Sequence, residues 1–179
     1  DVCSSDLQTA TDAIVRAIFR AAFSARVRLA RMASDETGIG YFPHKVLKNA
    51  WASLLVYEDI IHRRTVGVIG EDERNGVTEI ALPRGPILAL TPVTNPTSTV
   101  IFKCLIAAKT RNPIIFSPHG GARRSSREAA RICYEAALEA GAPEDCIQWT
   151  TKKHKDALQA IMGHRRLGLI LATGTGDVV

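Results

Sequence analysis

A chain of 179 residues, 46% of them hydrophobic, can bury one substantial core, so a single domain is the starting expectation. The formal charge of +5 comes from 23 Lys+Arg against 18 Asp+Glu scattered along the chain, and aromatics make up only 6%, so nothing in the composition supports a nucleic-acid surface. No apolar run approaches the roughly 18 residues that span a membrane, and the N-terminus lacks the charged, apolar, small-residue order of a signal peptide. The four cysteines (Cys3, Cys104, Cys133, Cys146) show neither CxxC nor metal spacing, which points to a reduced, cytoplasmic compartment.

The opening DVCSSDL, residues 1–7, fits nothing that follows and resembles translated adapter sequence, so it is set apart from the fold. Residues 8–64 read as a helical region. Ile14, Ile18, Ala21, Ala25, Leu29 and Met32 recur at three- and four-residue steps, which predicts one amphipathic helix from about Thr11 to Ala33 with Arg16, Arg20 and Arg31 outward. Gly38 and Gly40 end it. Pro43 suits the first turn of a second helix that carries Val46, Leu47, Trp51, Leu54 and Leu55 inward, with Trp51 read as core packing. His44 and His62 have no ligand spacing and are assigned to no metal.

Residues 65–82 read as a β-hairpin, Thr65–Ile69 and Val77–Leu82, joined through EDERNG with Asn75-Gly76 as the turn signal. Pro83-Arg84-Gly85-Pro86 then breaks the chain. From residue 83 to 179 the pattern is β-α-β-α-β-α-β: strand Ile87–Leu90, helix from about Ser98 to Lys109, strand Ile114–Phe116, helix Ser125–Ala140, strand Cys146–Trp149, helix Lys155–Met162 and a buried strand Leu167–Ala172. Short links between alternating elements argue a doubly wound parallel α/β sheet. In such sheets ligands bind beyond the carboxyl ends of the strands. The polar clusters at 91–99 and 117–124 each follow a strand and should share that rim.

Three features of these clusters bear on chemistry. Asn95 carries an amide NH₂ that can donate to an oxygen gaining negative charge, although by spacing alone an Asn before Pro96 more simply satisfies its own turn. Thr97, Ser98 and Thr99 are helix N-cap candidates, and Lys103, inside the helix, reads as solvated or paired. Thr173-Gly174-Thr175-Gly176 follows the last strand, where glycines let backbone N–H groups approach a pyrophosphate, although GxG alone is a weak signal.

The segments TPVTNPTST (91–99) and KTRNPIIFSPH (109–119), with KVLKN (45–49), EAGAP (139–143) and LILATG (169–174), resemble the CoA-acylating aldehyde dehydrogenases. The likeness is nearest to the N-terminal aldehyde dehydrogenase half of the bifunctional aldehyde-alcohol dehydrogenases. It implies a partial Rossmann-like NAD domain preceded by two helices and a hairpin. It also implies NAD as cofactor, coenzyme A and a small aldehyde such as acetaldehyde as substrates, and a homo-oligomer in which the hairpin makes contacts. By the same resemblance Asn95 stabilises the oxyanion, while Pro92, Val93 and Thr94 line the nicotinamide end of the groove. Ser117 and His119 face the adenosine ribose, and Thr173, Gly174 and Gly176 form the pyrophosphate turn. His119, rather than Lys, suits NAD; Arg123 and Arg124 would suit a 2′-phosphate; and Gly120-Gly121 stands where the family continues Pro-Arg. The family's nucleophilic cysteine falls in a second domain that these residues do not include, so the resemblance implies a truncated and inactive fragment. Other readings are a standalone acylating dehydrogenase for propionaldehyde or a sulfonated aldehyde, and a non-catalytic nucleotide-binding or assembly module.

Overall fold

Three helices open the chain. The computed structural model describes residues 2–151 and 155–174, and it begins with α1 (Val2–Ser24), which takes in residues the sequence reading set apart. The single helix expected over 11–33 is two, because the chain turns at Ala25 before α2 (Arg26–Thr37). No Gly or Pro marks that break. Two side chains take backbone carbonyls there: the Phe23 carbonyl accepts from Arg26 Nη1 at 2.8 Å within the turn, and the Arg26 carbonyl accepts from Asn49 Nδ2 of another helix at 2.9 Å. Gly38 closes α2 in the left-handed region at φ 63°, its N–H donating to the Ser34 carbonyl.

The third helix, α3 (Phe42–Ile61), starts on Pro43 as expected but faces the other way. Its buried row is Lys45, Asn49, Ser53 and Ile60, while Leu47, Trp51 and Leu55 are 48%, 56% and 52% exposed. The inward assignment of Leu47, Trp51 and Leu55 is therefore wrong. The polar row faces inward because every member finds a partner there. Lys45 reaches the Thr94 carbonyl, Asn49 reaches Arg26 and Thr97, and Ser53 donates to the Asn49 carbonyl.

The hairpin pairs β1 (Gly67–Asp72) with β2 (Val77–Ala81) antiparallel, with a bulge between Val68 and Gly70. Its first strand runs further than the alternation suggested, so the tip shrinks from six residues to the four at 73–76. Asp72 Oδ1 accepts from the Asn75 N–H and Gly76 takes φ 63°, which closes the tip.

The remainder is β3 (Ile87–Thr91), α4 (Pro96–Lys109), β4 (Ile114–Pro118), a 3₁₀ turn at 120–122, α5 (Arg123–Glu139), β5 (Ile147–Trp149), α6 (Lys155–Met162) and β6 (Leu169–Leu171). All four strands are parallel in the order β5-β4-β3-β6, so the doubly wound α/β expectation holds. The order reverses between β3 and β6. Right-handed crossovers put α4 and α5 on one face and send the α6 connection over the other. The core lies between the sheet and the α4/α5 layer. Ile101, Cys104, Leu105, Ile114, Phe116 and Cys133 are all fully buried there, each large apolar side chain contributing about 1.5–3 kcal/mol. A third layer, α1 with α3, covers α4 from outside, which is why α4 shows no polar face. The last strand is shorter than expected, and Leu169 and Ile170 are exposed, because β6 is the sheet edge.

Candidate functional site

In a doubly wound sheet ligands bind where the strand order reverses, here at the carboxyl ends of β3 and β6, and three chain segments converge on that rim. One continues β3, and the other two are hydrogen-bonded to its last residues. The His119 N–H donates to the Thr91 carbonyl at 3.1 Å and the Thr173 N–H to the Leu90 carbonyl at 3.3 Å. The residues following β3, β4 and β6 thus sit side by side on one rim, carrying Asn95, His119 and Thr173 with them. Two of these loops touch at Gly121, where an added Cβ would make an ordinary contact with Val93 Cγ2 at 3.4 Å.

Asn95 is half-buried and holds the N-cap position of α4, yet its side chain makes no capping bond. Its Oδ1 accepts from Lys48 Nζ at 2.8 Å, and its Nδ2 donates to Thr94 Oγ1 at 3.3 Å. The carboxamide therefore caps no helix N–H, and its one bond within its own loop is the long one to Thr94. Because Pro96 is the first helical residue, Thr97, Ser98 and Thr99 lie inside α4 rather than capping it. Thr97 Oγ1 instead donates to Asn49 Oδ1 at 2.8 Å. Pro92 and Val93 are half-buried and Thr94 is exposed on the same loop.

At the end of β4, Ser117 is half-buried and His119 exposed. His119 Nδ1 accepts from the Gly121 N–H at 3.1 Å, so that nitrogen carries no proton and Nε2–H is left as the donor. The N-terminus of α5 does not act as an anion site. Its Arg124 and Ser125 N–H groups both donate to the Glu36 carboxylate at 2.7 Å, a pairing that the helix dipole favours. Thr173 is half-buried and Gly174 exposed, whereas Gly176 lies outside the described residues.

Lys103 is neither solvated nor paired with an acid, contrary to expectation. It is 1% exposed, and Nζ donates to the Leu90 and Leu171 carbonyls at 2.7 Å each, tying β3 to β6 directly below the rim. Burial holds its pKa down to about 8. Lys45 is lowered too, by burial and then by the charge of Lys48. Neither lysine was legible as part of the site. KVLKN stood out only as a likeness, and nothing local marks Glu36 or Lys103.

The cysteines are elsewhere. Cys104 and Cys133 are wholly buried beneath the sheet, and the Cys104 thiol is pushed well up by burial and by its hydrogen bond with Cys133. Cys146 precedes β5 at the opposite end of the strands, and burial raises it as well. Among the described residues no group of His, Cys, Asp and Glu has the geometry of a metal site.

A carboxamide and an imidazole at the switch point of a doubly wound sheet stand where such folds bind their ligands. The chain matches the aldehyde dehydrogenase family model over residues 6–179, and it belongs to that family. It is 50% identical over 159 residues to an aldehyde-alcohol dehydrogenase of Streptococcus pneumoniae, covering 89% of this chain and 18% of that protein. The crystal structure of an acetylating aldehyde dehydrogenase from Geobacillus thermoglucosidasius superposes with a TM-score of 0.92 at 48% identity, covering 95% of this chain and 38% of that one. A Rhodopseudomonas palustris propionaldehyde dehydrogenase with bound propionyl-CoA gives a TM-score of 0.80 at 28% identity over 95% of this chain and 37% of that one. These relatives place the chain in the acylating branch of the family. It spans well under half the length of each.

Proposed function

We propose that this chain is the cofactor-binding part of an NAD-dependent acylating aldehyde dehydrogenase that converts acetaldehyde, coenzyme A and NAD to acetyl-CoA and NADH. The observation that carries the reading is the Asn95 carboxamide, held on the switch-point rim with no capping duty and its Nδ2 turned away from Lys48. Nδ2 donates to the aldehyde oxygen as that oxygen gains charge, a contact commonly worth about 10²–10³ in kcat. Pro92, Val93 and Thr94 shape the nicotinamide end of the crevice. His119 offers Nε2–H to a ribose hydroxyl, and Ser117 stands beside it. Thr173, Gly174 and Gly176 form the turn toward the pyrophosphate.

The residues fit NAD better than its 2′-phosphorylated form. His119 presents one N–H donor rather than a fixed charge, and two first-turn α5 amides, those of Arg124 and Ser125, are taken by Glu36 rather than left for a phosphate. When bound, the nicotinamide accepts the hydride. We place the attacking thiolate outside the described residues, as in the resembled family: Cys104, Cys133 and Cys146 lie away from the rim, and burial raises the Cys104 and Cys146 thiols. The 179 residues by themselves therefore do not turn over. The exposed Val77, Ile80 and Leu82 of the hairpin support its use as a contact between subunits. The free thiols fit a reducing cytoplasm.

The test is NADH titration of this chain followed by Trp fluorescence, beside kinetics of a complete acylating dehydrogenase carrying the segment. Asn95→Ala is expected to leave NADH binding intact and to lower kcat by about 10²–10³. Absence of saturable NADH binding, or full activity in the Asn95→Ala enzyme, overturns the reading.

A further inference from the structure

The Lys45-Val46-Leu47-Lys48-Asn49 turn of α3 has no part in the scheme above, yet three of its side chains converge on the Asn95 loop. Residues at i, i+3 and i+4 share one helix face. Lys45 Nζ donates to the Thr94 carbonyl at 3.1 Å, Lys48 Nζ to Asn95 Oδ1 at 2.8 Å, and Asn49 Oδ1 accepts from Thr97 Oγ1 at 2.8 Å. Residues 94, 95 and 97 are each held by a separate side chain. The Asn49 amide is itself anchored, since Nδ2 donates to the Arg26 carbonyl at 2.9 Å.

The three bonds do different things. Lys45 and Asn49 are buried, so their bonds belong to the packing of α3 on α4. Lys48 is exposed and grips nothing but the tip of one side chain. Such a surface bond adds little to stability, but it decides which way that carboxamide points. An ammonium is all donor and no acceptor, so the atom facing it must be the amide oxygen. Nδ2 is thereby turned to the other side, with one hydrogen near Thr94 Oγ1 and the second unengaged. A cation on Oδ1 also draws electron density from the amide nitrogen, making its N–H a stronger donor.

We propose that the KVLKN turn is a positioning device for the Asn95 carboxamide, with Lys48 the positioning residue that fixes its orientation and strengthens it as an oxyanion donor. This inference rests on the proposed role of Asn95, and its test separates the two. In the ¹⁵N-labelled chain the Asn95 side-chain amide resonances are identified by their loss in Asn95→Ala. Lys48→Met is expected to shift them and Lys48→Arg to return them most of the way. In a complete acylating dehydrogenase carrying the segment, Lys48→Met is expected to lower kcat about tenfold, a fraction of what loss of the whole donor costs. KM for NAD and coenzyme A stays unchanged, and Lys48→Arg recovers most of the rate. If Asn95→Ala retains full activity, the role of Asn95 fails and this inference with it. If Asn95→Ala is crippled while Lys48→Met is as active as the parent, or if Lys48→Met raises KM and spares kcat, the positioning role alone is overturned. Unmoved Asn95 amide resonances in Lys48→Met overturn it equally.

Discussion

Replacing Lys103 by Met should remove a pH dependence from the stability of this chain. The side chain is 1% exposed, its Nζ binds two carbonyls, and among the described residues no carboxylate pairs with it. Burial sets its folded pKa near 8, against 10.5 when free. Between those values the unfolded chain binds more protons than the folded one, so stability rises with pH across that window. Below pH 8 both forms are protonated and the cost of the buried charge is present in full. Integrated over the window, the effect is at most about 3 kcal/mol. The Leu90 and Leu171 carbonyls favour the ammonium and work against it, so about 1–2 kcal/mol is expected between pH 7 and 10. Lys45 shifts in the same direction but is present in both proteins and cancels in the comparison. At pH 7 the variant should lie within about 1 kcal/mol of the parent, because Met matches the stem and the Leu90 carbonyl keeps the Thr173 N–H. Urea unfolding of both proteins at pH 7 and 10 measures the difference. Parallel pH dependence in parent and variant would refute the assignment of a depressed pKa to this lysine.

Two further outcomes follow from the packing around α4 and β6. Lys109, 2% exposed, bonds Asp12 Oδ1 at 2.5 Å and the Ile61 carbonyl at 2.8 Å, so Asp12→Ala strands a buried cation and should cost about 3 kcal/mol in urea unfolding. Adding Lys109→Met should recover much of that loss, and an additive double variant would contradict the pairing. At Gly168 a Cβ would lie 2.4 Å from the Arg84 carbonyl oxygen and 2.8 Å from its carbon, both backbone. Gly168→Ala should therefore destabilise by about 2–3 kcal/mol, while Gly163→Ala, whose Cβ meets only the Gln159 carbonyl oxygen at 3.5 Å, should not. Equal stability of the two glycine variants would refute the close approach of the Pro83–Pro86 segment to β6.

What could be read before any coordinates was whatever short-range pattern encodes. The βαβ succession from residue 87 onward and the helix stop at Gly38 appear as expected. The failures share a cause. Periodicity reports that a helix has two unlike faces but not which one meets the core. In α3 the polar face does, because Thr94, Thr97 and Arg26 bring acceptors and donors to it from elsewhere in the chain. At the break by Ala25 one of the two captured carbonyls, that of Arg26, is likewise taken by a distant residue, Asn49 of another helix.

The candidate site divides along the same line. Placing Asn95 and His119 on one rim needed only the handedness of crossovers and the rule that loops after parallel strands share an end. Lys48, Lys103 and Glu36 could not be found that way, since a lysine or glutamate on a helix looks the same whether it is solvated or bonded to a distant loop. The sequence alone determined the order of strands and helices, and with it which loops share the rim beyond the carboxyl ends of the strands. Only the tertiary structure decided which polar groups are buried and which way the carboxamide points, because those depend on hydrogen-bond partners tens of residues away along the chain.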